Sequence, residues 1–381
     1  MYVGVDGVAR NVKKIYVGVD GIARQVKRAY VGVDGVARLF YSTTKKIVYY
    51  GNAPDDLSAA RSSMGAANVG NYVLLAGGYT GSSSSSTVDA YNSSLTRTTA
   101  TNLSVARHYL VGCSIGDYAL FAGGYAYTGS SSGSSSSSTV DAYNSSLTKT
   151  TVTNLSVARN DLAGCSIGDH ALFAGGGTGG SATLSSVDAY NSSLTRTTAT
   201  NLSVARYCLA GGSIGNYALF AGGHTGSSSS STVDAYNGSL TRTTATNLSV
   251  ARHYLVGCSI GDHVLFAGGR YGTTTSYATV DAYSGYSLTK TILTELVCAQ
   301  YQSGATSIGG FALIGGGSAD DSRIMTAYDE QLTRVDCPNI EGTDRFINTA
   351  ASIGKYALFP GGNPSGNPFE KNVAVFTTQY E

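Results

Sequence analysis

The 381 residues are 42% hydrophobic and 13% charged with a formal net charge of +1, so the chain can bury a large core and lacks the basic excess of a nucleic-acid binder. Its 49 glycines, 27 tyrosines and 5 prolines, with no tryptophan, favour many short strands joined by tight turns. No apolar run is long enough to span a membrane, and the N-terminus lacks a charged stretch followed by an apolar core, so neither membrane insertion nor a secretory signal is expected.

Residues 1–42 repeat every 14: YVGVDGVARNVKKI from Tyr2, YVGVDGIARQVKRA from Tyr16 and YVGVDGVARLFYST from Tyr30. Each unit sets Asp-Gly between valine-rich arms, and because both turn positions need positive φ this predicts small β-hairpins. Each is too short to bury a core alone. Residues 1–46 carry nine cations against three aspartates, 9 − 3 = +6, which leaves the remainder near −5. The run reads equally as a solvated strand face or as a docking segment, with Tyr2, Arg10, Tyr16, Arg24, Tyr30 and Arg38 meeting an acidic partner or another copy of the chain. These tandem units resemble repeats of minor structural and tail-tip proteins of phages and prophages of Gram-positive gut bacteria. The resemblance implies attachment to other tail or particle proteins, and a virion location after synthesis in the bacterial cytoplasm.

A longer unit recurs after residue 43. The run YALFAGG, Tyr118 to Gly124, returns as YVLLAGG ending at Gly78, HALFAGG at Gly176, YALFAGG at Gly223, HVLFAGG at Gly269, FALIGGG with its pair at Gly315 and Gly316, and YALFPGG at Gly362. Steps between the first glycines are 46, 52, 47, 46, 47 and 46 residues, the signature of one supersecondary unit used seven times.

In the unit from His108 to Thr153, residues 108–113 are expected as a first strand, 114–117 as a turn and 118–122 as a second strand, apolar on both faces. Residues 140–143 follow as a third strand, and 147–153, threonine-rich with one cation, as a fourth at an exposed edge. Four antiparallel strands with doubly buried inner strands stack radially as blades of a β-propeller. The seventh unit has no fourth strand of its own, and KKIVYY (45–50) precedes LSAAR as fourth strands precede LSVAR elsewhere. The N-terminal strand is therefore expected to complete the last blade. The expected architecture is all-β: hairpin repeats over 1–42, then a seven-bladed propeller of four-stranded blades over 43–381. The glycine pairs, the third-strand aromatic and a period near ~50 residues resemble the kelch family. The chain departs by lacking that family's usual tryptophan, and Leu95, Leu147, Leu194, Leu240, Leu288 and Leu332 are expected to fill part of that role.

The turns hardly change between copies, whereas the loops after the glycine pairs and the two residues after each recurring arginine do. In a four-stranded blade these two segments open on one face, which makes that face the candidate recognition surface. It offers Tyr79, His108, Tyr109, Tyr125, Tyr127, Asn160, Asp161, Tyr207, His224, His253, Tyr254, Arg270, Tyr271, Tyr277 and Tyr301 among serine and glycine, a mixture that resembles antibody paratopes and suits sugar rings. The competing reading has the tyrosines packing the mouth of the ring and the serine runs as passive linkers. The recurring arginine (Arg61, Arg107, Arg159, Arg206, Arg252 and Arg345, with Gln300 in the sixth copy) is expected to pair with the third-strand aspartates rather than to bind anions.

The histidines show no metal-ligand spacing, and equivalent positions in different blades make poor catalytic clusters, so no metal, cofactor or enzymatic activity is expected. Asp320 and Asp321 with Glu295 read as polar loop residues rather than a cation site, and the six cysteines as small buried thiols. The leading expectation is a receptor-binding protein of a phage or phage-derived tail that reads a surface carbohydrate or protein. An intracellular protein-interaction scaffold and a sugar-acting kelch-type enzyme are the alternatives. The segment 1–42 is compatible with self-association or with attachment of one copy.

Overall fold

The computed structural model describes residues 2–5, 8–11, 16–19, 22–26, 28–33, 36–42, 44–130, 134–179, 182–318, 321–342, 344, 346–363 and 369–380, the strands before residue 44 by their backbone pairing. The chain divides into two compact units, residues 1–48 with 378–381, and Tyr49–Thr377.

The first unit holds three two-stranded antiparallel sheets: Tyr2–Val5 with Val8–Asn11, Tyr16–Val19 with Ile22–Gln25, and Arg28–Val33 with Val36–Ser42. The pairs Val5↔Val8, Val19↔Ile22 and Val33↔Val36 flank the Asp-Gly positions, which themselves lie outside the described residues. The expected hairpins are present, the third with a register shift between Ala29 and Tyr30.

The second unit is built on seven four-stranded antiparallel sheets, and no helix occurs among the described residues. Blade 2 runs Val111–Ile115, Tyr118–Ala122, Val140–Asn144 and Lys149–Thr151. In blade 7 the order is Ala351–Ile353, Tyr356–Pro360, Val373–Tyr380 and then Lys45–Asn52, so the N-terminal strand completes the last sheet. First strands of blades 1 to 6, with Asn348, Thr349 and Ala350 just before the first strand of blade 7, line one central cavity of about 300 Å³.

The second strand is buried on both faces because it is sandwiched within its sheet and between neighbouring blades. Ala119, Leu120, Phe121 and Ala122 have no exposure. Phe121 and Tyr143 of blade 2 pack with Leu74, Ala76 and Val88 of blade 1, and burying a side chain such as Phe121 contributes roughly 2–3 kcal/mol. The Tyr143 hydroxyl reaches back to donate to the carbonyl of Thr101, 2.8 Å away.

Two further contacts recur from blade to blade. In blades 1 to 5 and in blade 7 the second glycine of the pair donates its N–H to the carbonyl at the recurring arginine position of the next blade: Gly124 to Arg159 at 2.8 Å, Gly223 to Arg252 at 2.9 Å, and, closing the ring, Gly362 to Arg61 at 3.3 Å. The first glycine stands so close to the same carbonyl that a Cβ on Gly123 would lie 2.6 Å from the Arg159 oxygen, at a φ of +64°. The arginines themselves are buried and paired, Arg61 with Asp89 (2.9 Å), Arg107 with Asp141 (3.0 Å), Arg159 with Asp188 (2.5 Å), Arg206 with Asp234 (2.9 Å) and Arg252 with Asp281 (2.9 Å), which makes them ribs of the scaffold. Arg345 lies outside the described residues.

Three boundaries differ from expectation. The first strand of blade 2 begins at Val111, because Tyr109 has a φ of +53° and leaves the extended conformation. The fourth strand begins at Lys149, because Asn144 accepts the Ser146 and Thr148 N–H groups and Leu147 sits at +58°. In FALIGGG, Gly315 pairs with Met325 as the last strand residue, so the pair equivalent to Gly123-Gly124 is Gly316-Gly317. All six leucines expected in place of tryptophan are left-handed turn residues, among which Leu95 is 2% exposed.

Candidate functional site

The two variable segments meet directly. The residue after each arginine bridges the residue after each glycine pair: Ser62 with Tyr79, His108 with Tyr125, Asn160 with Gly177, Tyr207 with His224, His253 with Arg270, Tyr301 with Ser318 and Phe346 with Asn363. His108 and Tyr125 exchange both backbone bonds, at 3.0 and 2.7 Å. One residue on, Ser63, Tyr109, Asp161, Cys208, Tyr254 and Gln302 all hold φ between +52° and +56°. Five of them donate N–H to the equivalent carbonyl of the preceding blade, from Tyr109 to Ser63 through to Gln302 to Tyr254. Ser63 instead donates to the side-chain oxygen of Asn348 at 2.9 Å. Six non-glycine residues in this sparsely populated conformation form a fixed rim around the central cavity.

An arc of rings runs over this rim. Phe369 stands 5.8 Å from Tyr79, Tyr79 5.1 Å from His108 and 6.2 Å from Tyr127, and His108 5.7 Å from Tyr125. The arc resumes in blade 4, where Tyr207 lies 5.3 Å from His224, His224 5.0 Å from His253, and His253 5.0 Å from Tyr254. The Arg270 guanidinium lies 5.0 Å from the Tyr254 ring and 4.5 Å from the Tyr301 ring. Between the two halves, at blade 3, opens a pocket of about 340 Å³ lined by His108, Tyr109, Tyr125, Asn160, Asp161, Gly177, Gly179, Ala182 and Tyr207.

The polar groups are held in definite states. His108 Nδ1 and Ser84 Oγ are 2.9 Å apart, as are His253 Nδ1 and Ser229 Oγ, and burial lowers both imidazoles to about 4. His224 is also lowered by burial, and its Nδ1 accepts from the Gly226 N–H. These rings are neutral at pH 7. Asp161 is pushed up to about 6 by burial, against the opposing bonds from Asn160 and Cys208. Asn160 is fixed at both ends, accepting from Ser136 Oγ at 2.8 Å and donating to Asp161 at 2.5 Å.

Of the expected face residues, Tyr271 is exposed and Tyr277 half-buried, and both stand outside the arc. The remaining thirteen lie in the arc, the rim, the pocket or the bridges. Phe369 and Gly177 belong to the site but were not expected. Tyr2, Arg10, Tyr16, Arg24, Tyr30 and Arg38 occupy hairpin strands, where Arg10 pairs with Val3, Arg24 with Val17 and Arg38 with Val31. Asp320 lies outside the described residues, and Asp321 pairs with Arg323 at 2.9 Å. No disulfide joins the six cysteines, all of which are among the described residues; Cys113, Cys165, Cys208 and Cys258 are buried, and Cys298 and Cys337 partly so. The arrangement can stack against flat or apolar ligand faces and offer fixed hydrogen-bonding groups from a rigid base.

The sequence profile described as Kelch motif matches residues 60–98, the body of blade 1. Match and ring together support a kelch-repeat β-propeller. The solved structure titled "Structure of YjhT" superposes with a TM-score of 0.58 at 11% identity, over 74% of this chain and 98% of that one, a likeness of fold. No curated protein matches the chain.

Proposed function

We propose that this propeller is a non-enzymatic recognition module that binds a surface carbohydrate or protein through its varied face. The observation that carries the reading is the aromatic arc: rings from blades 7, 1 and 2 and from blades 4 to 6 stand on bridged loops above a rim of repeated backbone bonds. Loops change in every blade while the arginine–aspartate rib is kept in blades 1 to 5, which is the division of labour a recognition surface needs. The neutral histidines and the tyrosines supply stacking area at low conformational cost.

Within this reading the module belongs to the tail of a phage or phage-derived particle, with residues 1–42 docking it to other particle proteins. The 14-residue repeats and their net charge, 7 − 3 = +4 over residues 1–42, support that placement. The test is binding of the labelled full chain to a panel of intact bacterial cells before and after periodate oxidation of their glycans. Binding to a subset of cells, lost on oxidation and in Tyr207→Ala with Tyr254→Ala, is expected for a glycan receptor. Binding that survives oxidation and is lost on protease treatment of the cells identifies a protein receptor, and no binding to any cell overturns the receptor role. For the docking segment, chains lacking residues 1–42 are expected to fail to co-sediment with particles from the producing cell.

A further inference from the structure

We propose that the pocket at blade 3 is a subsite for a single uncharged pyranose ring, with Gly177 as the residue that creates it. This deepens the carbohydrate branch of the recognition reading and rests on it. The slot after the glycine pair carries Tyr79, Tyr125, His224, Arg270, Ser318 and Asn363 in the other blades, and the blade-3 copy alone has no side chain there. The ring arc is interrupted at the same place, and the pocket fills the interruption.

Gly177 is not required by its backbone. Its φ is outside the left-handed region, and among the described residues the nearest atoms to a Cβ built on it are the Ala182 carbonyl at 3.6 Å and the Tyr207 side chain at 3.9 Å, both ordinary contacts. A side chain fits the local chain there, so what its absence provides is space. The volume sits at the lower end of the roughly 300–1,000 Å³ of small-molecule sites, which suits one ring rather than a helix or an extended peptide.

The lining selects the ring's chemistry. Tyr125 and Tyr207 flank the space from adjoining blades, and aromatic faces take the apolar C–H face of a pyranose. Asn160 and Asp161 stand between them, both already oriented by Ser136 and by each other, and a carboxyl group can accept from vicinal hydroxyls. No lysine or arginine is among the described residues that line the pocket, so a carboxylated or sulfated ring finds no counter-ion beside Asp161.

The experiment measures saturation-transfer NMR of a panel of methyl glycosides (glucoside, mannoside, galactoside and N-acetylglucosaminide) with the full chain, its Gly177→Tyr variant and a Gly238→Tyr control. Gly238 lies in a blade-4 turn, where an added Cβ would meet nothing within 4 Å. At least one glycoside is expected to bind and to lose tenfold or more in affinity in Gly177→Tyr, with Gly238→Tyr unchanged. Should Gly177→Tyr fail to fold, Asn160→Ala and Tyr125→Ala carry the same readout. No transfer from any glycoside, or transfer indifferent to these changes, overturns the subsite. The same variants on intact cells separate the two claims: cell binding that persists in Gly177→Tyr but fails in Tyr254→Ala keeps the recognition face and removes the pocket. Glycoside binding sensitive to Gly177 without any cell binding keeps the pocket and removes the receptor role.

Discussion

Arg107 donates from Nη2 to Oδ2 of Asp141 across 3.0 Å with neither side chain exposed, and blade 6 puts Gln300 and Thr326 in the same two places, also buried. Charge has been given up there on both sides at once. Removing one member of a buried pair strands the other, so Asp141→Ala is expected to lower stability by about 3–5 kcal/mol. The double change Arg107→Gln with Asp141→Thr, which copies blade 6, should recover more than half of that loss in urea midpoints. A double variant no more stable than Asp141→Ala would show that the rib needs its charges.

Gly123 and Gly168 both hold positive φ, +64° and +53°, but only at Gly123 would a Cβ collide with backbone. Alanine at Gly168 should lower stability by about 1–2 kcal/mol, the ordinary penalty for a left-handed L-residue. Alanine at Gly123 must also push the Arg159 carbonyl away and should lower it by about 3 kcal/mol or more. Equal thermal shifts for the two would remove close approach as the reason for the glycine pairs.

The pH response follows from the rim and arc. His108 and His253 fall from 6.5 unfolded to about 4 folded, so the unfolded chain binds more protons between those values, and their contribution, complete above pH 6.5, is lost as pH falls towards 4. Asp161 runs the other way: raised from 3.8 to about 6, it favours the folded state below pH 3.8 and loses that advantage as pH rises through 6. Stability measured from pH 7 to pH 4.5 should therefore decline, more steeply in Asp161→Asn. A combined His108→Asn and His253→Asn variant should flatten or reverse the decline. An unchanged slope in all of them would mean that these groups are not buried as described.

Closure predicts unequal truncations. A chain starting at residue 44 keeps Lys45–Asn52 as the fourth strand of blade 7, whereas one starting at residue 53 leaves Val373–Tyr380 without that partner. The first should melt within a few degrees of the full chain. The second should melt roughly 10 °C lower or aggregate through the open edge.

The repeat, blade number, second strands and closing strand are legible in the sequence because they rest on burial, which leaves an apolar and periodic trace. Tyr118–Ala122 and Tyr356–Pro360 begin and end where the apolar runs do. Residues 108–110 read as strand because nothing in their composition announces a left-handed residue; Tyr109 is held at +53° by the loop bridge beside it and by its bond to Ser63. Leu147 reads as the start of a strand for the same reason, since a leucine at +58° is forced by the turn around Asn144. The variable face can be located by comparing copies. The pocket escapes the sequence because a search for chemistry-bearing side chains passes over Gly177, although its slot holds a ring or a guanidinium in four of the other copies.

Blades 1 to 5 present the same connectors to their neighbours: a glycine N–H on one side, an arginine carbonyl on the other, and a tyrosine hydroxyl reaching back, whereas blade 7 has Phe376 in the tyrosine's place. A unit moved among blades 1 to 5 therefore meets these three contacts again, whatever loop it carries. Exchange or duplication of one such unit is therefore a route to a new loop set, provided the inter-blade packing is matched: blade 4 has Gly212 against Val264 of blade 5, where a Cβ would collide with the valine, while Cys113, Cys165 and Cys258 face alanines.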